Sequence, residues 1–142
     1  MTKKISATAT IRINAPVNNV WKALIDPSMI KQWLFGTDAV SDWEKGSDIT
    51  YTGEWEGKRY VDKGRIIDIV PEKLLHTTYF SGLSGKEDKP ENYANVIYEV
   101  TPEKDGALLS ISQDNIDDEK GQKHMKENWS KVLEGMKRLL EK

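Results

Sequence analysis

The chain has 142 residues, 31% of them charged and 37% hydrophobic, with a formal net charge of −2 and no cysteine. That length suits one domain with a real core. The weak negative charge argues against nucleic acid as a partner, since phosphate binding needs a cationic surface, and the missing thiols exclude disulfides and thiolate chemistry.

Met1-Thr2-Lys3-Lys4 lacks the apolar stretch of a signal peptide, and no run of about 18 apolar residues follows to span a membrane. A cytoplasmic location is expected. Residues 5 to 13 alternate, with Ile5, Ala7, Ala9, Ile11 and Ile13 on one side, which predicts a half-buried strand. Pro16 suits the first turn of a helix, and Val17, Val20, Trp21, Leu24 and Ile25 continue at helical spacing. Asp26-Pro27 stops that helix and caps another, whose apolar stripe is Met29, Ile30, Trp33 and Leu34 and whose end is Gly36.

From residue 39 to 115 the period is two. Strands are expected near 39–43, 48–56, 58–70, 73–81, 92–101 and 106–115, joined by turns at Glu56-Gly57, Pro71-Glu72 and Lys104-Asp105-Gly106. The longest loop is 81–92, with Gly82, Gly85 and Pro90. Gly53 and Gly64 inside strands mark bends or bulges that let a sheet curl. From about Asp118 to the end, Met125, Trp129, Val132, Leu133, Met136, Leu139 and Leu140 form one continuous apolar stripe of a long helix. Acidic residues at its start and basic ones at its end match the helix dipole. Gly135 inside it costs about 1 kcal/mol relative to alanine.

A helix and that much strand cover each other's apolar faces only if the sheet wraps around the helix. The expected class is α+β: a curved antiparallel sheet of about seven strands gripping a long C-terminal helix, with two short helices after the first strand. The motifs Ile13-Asn14-Ala15-Pro16, Val20-Trp21-Lys22-Ala23-Leu24, Asp26-Pro27 and Gln32-Trp33 carry a resemblance. So do Gly46, Gly64-Arg65-Ile66-Ile67-Asp68-Ile69-Val70-Pro71 and Lys73-Leu74. They resemble the START-like (SRPBCC) superfamily with its helix-grip fold, in the branch of the activator of heat-shock-protein-ninety ATPase homologues. The resemblance covers nearly the whole chain, and residues 1–142 are expected to form a single domain. It departs at Leu34, where the family commonly has Phe, and at Gln113, where many members carry His.

Taking Ile49 and Tyr51 as inward, alternation assigns Gly53, Trp55, Tyr60, Asp62, Gly64 and Ile66 to the concave face. Leu74, His76, Thr78, Phe80, Val96, Tyr98, Val100, Leu109, Ile111 and Gln113 follow on the neighbouring strands. Trp129, Leu133 and Met136 would roof this face and Trp33 would close one end. The candidate ligand-binding residues are therefore Trp33, Tyr51, Trp55, Tyr60, His76, Phe80, Tyr98, Gln113, Trp129, Leu133 and Met136. An unpartnered carboxylate inside would be costly, so a bulge turning Asp62 outward is expected. A mostly apolar chamber with a few polar groups suits an apolar or aromatic, lipid-like small molecule, entering past the 81–92 loop and needing no cofactor. Two histidines far apart give no metal site, and no nucleophile motif is present.

The resemblance also implies a second role, a protein-interaction module stimulating a chaperone ATPase, although the family's eukaryotic co-chaperones carry a further N-terminal domain. A third reading is a cyclase- or hydrolase-like enzyme using His76 paired with Tyr98. A monomer or weak homodimer is expected.

Overall fold

The computed structural model describes residues 5–34, 36–81 and 85–141. The expectations for residues 1–4 and Gly82, and for the side chain of Trp55, fall outside what is described. Strand β1 (Ile5–Ile13) leads into helices α1 (Val17–Ile25) and α2 (Pro27–Trp33). Strands β2 (Asp38–Ser41), β3 (Asp48–Trp55), β4 (Lys58–Val70) and β5 (Leu74–Tyr79) follow. After a single 3-10 turn at Pro90–Asn92 come β6 (Ala94–Glu103), β7 (Gly106–Ile116) and the long helix α3 (Glu119–Leu140). All seven strands join one antiparallel sheet in the order β1-β7-β6-β5-β4-β3-β2. This is the α+β helix-grip arrangement that the periodicities imply.

Local chemistry sets the boundaries. Asp26 is the N-cap of α2, with its Oδ1 accepting from the Ser28 amide at 2.9 Å and Pro27 in the first turn, a position where the missing N–H costs nothing. Pro16 stands at the cap of α1, just ahead of its first helical residue. Gly36, at φ +79°, ends α2 by donating its N–H to the Lys31 carbonyl. Glu56 and Gly57 both have positive φ, at 50° and 81°, as a tight hairpin between β3 and β4 requires. Asp118 caps α3 by accepting from the Gly121 amide at 2.7 Å. The 22 residues of α3 make a rod of about 33 Å.

Helix α3 runs beside β1 and occupies the free edge of that strand. Gln122 Nε2 donates to the Ser6 carbonyl at 2.7 Å and Lys137 Nζ to the Arg12 carbonyl at 3.0 Å, while the Asn14 amide donates to Glu141 Oε2 at 2.7 Å. Between helix and sheet lies the core. Ile13, Ile30, Ile49, Ile66, Leu75, Leu109, Ile111, Leu133 and Met136 are each at most 1% exposed, and each such burial is worth about 1.5–3 kcal/mol.

The sheet bends at one irregularity. Ile66 pairs with Thr77 but Asp68 pairs with His76, so Ile67 is an extra residue in β4, a bulge. Nearby, a Cβ on Gly64 would collide with the Thr78 carbonyl oxygen, which is why glycine stands there.

The bulge reverses the face that β5 presents. Leu75 lies opposite Tyr98 and Thr77 opposite Val96, and Leu75, Thr77, Val96 and Tyr98 are all buried. The inward set of β5 is therefore Leu75, Thr77 and Tyr79 rather than Leu74, His76 and Thr78.

Candidate functional site

The concave face carries a line of phenols. Tyr51 on β3 pairs with Asp62 on β4 and Gly53 with Tyr60, so these side chains share the inner face; Tyr79 and Tyr98 join them from β5 and β6. The Tyr79 hydroxyl donates to Asp62 Oδ2 at 2.6 Å. Asp62 thus stays inside with a partner, and the expected outward bulge at this position is not there. The β3–β4 register runs without a shift from Asp48 to Trp55. Tyr60 covers Gly53, where a Cβ would strike its hydroxyl, and that hydroxyl bonds Thr37 Oγ1 at 2.5 Å.

No hydrogen bond reaches the hydroxyls of Tyr51 or Tyr98 among the described residues. Since no fully enclosed side-chain polar atom in them lacks a partner, both hydroxyls open onto space that water can reach. Burial pushes the pKa of both phenols up, and for Tyr98 the neighbouring Tyr51 and Tyr79 add to it. Tyr79 is raised first by burial and then by its bond to Asp62. All three remain neutral donors at ordinary pH.

The helix side of this face is aromatic and aliphatic. Trp129 meets Tyr98 edge-on, with ring centroids 6.2 Å apart at 87°, and its indole N–H donates to Gln113 Oε1 at 3.0 Å. Leu133 and Met136 sit fully buried behind it. Trp33 is buried too, but its N–H is taken by the Ala23 carbonyl at 2.7 Å, so it fastens α2 to α1.

Two candidate residues lie elsewhere. His76 faces the outer side of the sheet, where its Nε2 is 2.9 Å from Asn95 Oδ1, and Asn95 in turn bonds Asp114. His76 and Tyr98 are therefore on opposite faces, and the expected acid–base pair is not assembled. Phe80 bridges to Lys63 and stacks on Tyr93 at 5.2 Å, which also places it on the outer side. Sequence reading passed over Tyr79, the residue that holds Asp62.

A cleft of about 360 Å³ opens where α3 begins, lined by Tyr79 and Gln113 together with Ser81, Asn115, Asp118 and Met125. Because Tyr79 and Gln113 belong to both, the cleft adjoins the inner face. Lys86 and Asp117, 3.8 Å apart, link the loop to the start of the helix across it. On the outer face a larger groove of about 600 Å³ includes Lys63, Arg65, Asp48 and Asp88. Its charges are already paired, Lys63 with Asp88 and Arg65 with Asp48, so the inner face with its adjoining cleft is the better candidate. Among the described residues, no group of three or more His, Cys, Asp or Glu could hold a metal ion, and no helix is long and apolar enough to cross a membrane.

A curved sheet gripping a terminal helix, with a polar-dotted inner face, defines the START-like class. The chain belongs to the family described as Activator of Hsp90 ATPase homolog 1-like protein, whose sequence model matches residues 14–141. It is similar to the solution structure of ChR145 from Cytophaga hutchinsonii, at 46% identity and TM-score 0.87, covering 99% of this chain and 97% of that one. CV1439 from Chromobacterium violaceum shares the fold at 22% identity and TM-score 0.77, covering 96% and 97% of the two chains. So does the Aha1 dimer from Colwellia psychrerythraea, at 16% identity and TM-score 0.76, with 96% of each chain covered. A search of curated proteins finds no match.

Proposed function

We propose that this protein binds an apolar or aromatic small molecule between the concave sheet and α3, reached through the cleft beside the 85–92 segment and the start of the helix. The observation that carries this reading is that cleft: Tyr79 and Gln113 stand in its wall and on the inner face at once. Family membership supports a ligand-binding protein of this size. Apolar surface that the ligand buries contributes about 25 cal/mol per Å², and the few polar groups fix its orientation.

Titration of the full chain with N-phenyl-1-naphthylamine, a neutral fluorescent probe, tests it. The expected outcome is probe fluorescence that saturates for the native protein and is weakened at least tenfold by Trp129→Ala, with the far-ultraviolet circular dichroism retained. An affinity untouched by that change would remove the site from between sheet and helix.

A second reading is contact with a protein partner such as a chaperone ATPase, or with a second copy of the chain. It is favoured by Val40 and Val61, which are 66% and 50% exposed. Stimulation of a chaperone ATPase by the native protein, lost in Val40→Ser/Val61→Ser, would support it over the first.

A further inference from the structure

The inner face has an unusual balance of groups. Among the described residues it offers hydroxyls and one carboxylate but no lysine or arginine. Lys63 and Arg65 of β4 alternate with the inward Asp62 and Gly64 and pair with Asp88 and Asp48 on the outer side. At the cleft, Lys86 is set against Asp117, with Asp118 in the same wall. Among the described residues, then, neither the inner face nor the cleft presents a lysine or arginine whose charge is not already answered by a carboxylate, and His124 in the cleft wall lies beside the Asn128 amide.

The phenols differ in what they have left to give. Tyr79 spends its proton on Asp62, and Tyr60 is held by Thr37. Tyr51 and Tyr98 have no such partner among the described residues, though Tyr98 is only 7% exposed. They stand on the same concave face, three strands apart in the sheet, about 14 Å if it were flat. The inner face thus carries two donors, Tyr98 buried and Tyr51 half-buried, without an acceptor among the described residues.

We propose that the chamber selects uncharged ligands carrying an acceptor oxygen, of the ketone, aldehyde, ester or quinone class, whose oxygen accepts from Tyr51, Tyr98 or both. The inference rests on the chamber being the binding site and adds what that site recognises. A carboxylate entering it would lose its water, meet Asp62 and find no counter-ion, a heavy desolvation cost. A carbonyl oxygen loses less on leaving water and recovers those bonds from the phenols. A plain hydrocarbon displaces whatever water the hydroxyls hold and leaves them unpaired.

Four probes with one ring system separate these cases: naphthalene, 2-acetylnaphthalene, 2-naphthoate and 1-(2-naphthyl)ethylamine, titrated against the full chain by two-dimensional amide NMR at pH 7. The ketone is expected to bind about tenfold more tightly than naphthalene, and 2-naphthoate at least 100-fold more weakly than the ketone. Tyr51→Phe and Tyr98→Phe are each expected to weaken the ketone about three- to tenfold and to leave naphthalene unchanged. Equal affinities for naphthalene and the ketone, unmoved by either variant, would overturn the selection while leaving the chamber as a binding site. Tight binding of the naphthoate or the amine would overturn it as well. Binding of none of the four would remove both the selection and the chamber.

Discussion

The indole N–H of Trp129 donates to Oε1 of Gln113 across 3.0 Å, tying the middle of α3 to the inner face of β7. Gln113 is 8% exposed, so this is a shielded bond between two elements that otherwise meet through apolar contacts. Gln113→Leu keeps the volume and removes the acceptor. The variant is expected to lose about 1–2 kcal/mol, read as a lower urea midpoint with an unchanged slope, together with a shift of tryptophan emission. Unaltered emission and midpoint would mean that the bond holds nothing in place.

Three phenols give the protein an alkaline limit. In Tyr51 and Tyr98 burial pushes the pKa above its ordinary value, and in Tyr79 burial and the bond to Asp62 do so together. The native state therefore keeps protons that the unfolded chain releases near the ordinary value of 10.0. Their contribution to stability is complete below that pH and is lost as pH rises towards the folded values. Each such tyrosine steepens the fall by up to about 1.4 kcal/mol per pH unit. Denaturation midpoints measured from pH 9 to 11.5 are expected to fall less steeply in Tyr51→Phe/Tyr98→Phe than in the native chain. Parallel curves would contradict this.

Gly135 lies mid-helix in α3, and a Cβ there would meet nothing within 4 Å. Nothing approaches its backbone closely enough to require glycine. Gly135→Ala is expected to stabilise the protein by about 1 kcal/mol, a rise of about 2–4 °C in the melting temperature for a chain of this size. Calorimetry is the direct measurement, and a lower melting temperature would reveal a role for the gap.

Most elements were legible because their signals are local. Asp26-Pro27 announces a cap and Glu56-Gly57 a hairpin, and the apolar stripe from Met125 to Leu140 can belong only to a helix. The inner residues of β3 and β4 follow from the same alternation once Ile49 is taken as inward, and Tyr51, Tyr60 and Asp62 lie where it puts them. Alternation fails at β5. Leu74-Leu75 and Thr77-Thr78 repeat the same residue on both faces, so nothing in that segment says which side is buried. Its phase comes instead from the bulge at Ile67 in the preceding strand, a tertiary feature that a period of two does not encode. That single slip moved His76 and Phe80 to the wrong side and hid Tyr79. Asp62 was misjudged for the same reason, since its partner is the residue the slip concealed.

The two borders of the sheet are not alike. Along β1, side chains of α3 occupy the backbone groups that would receive another strand, so that border is closed. The opposite border is β2, four residues long, about 13 Å. Its Asp38 is bridged to Lys31 at 3.0 Å. A peptide zipping onto this molecule would have to arrive there and would find only a few rungs, with charge beside them. The same grip that curls the sheet thus leaves little edge on which further strands could be added.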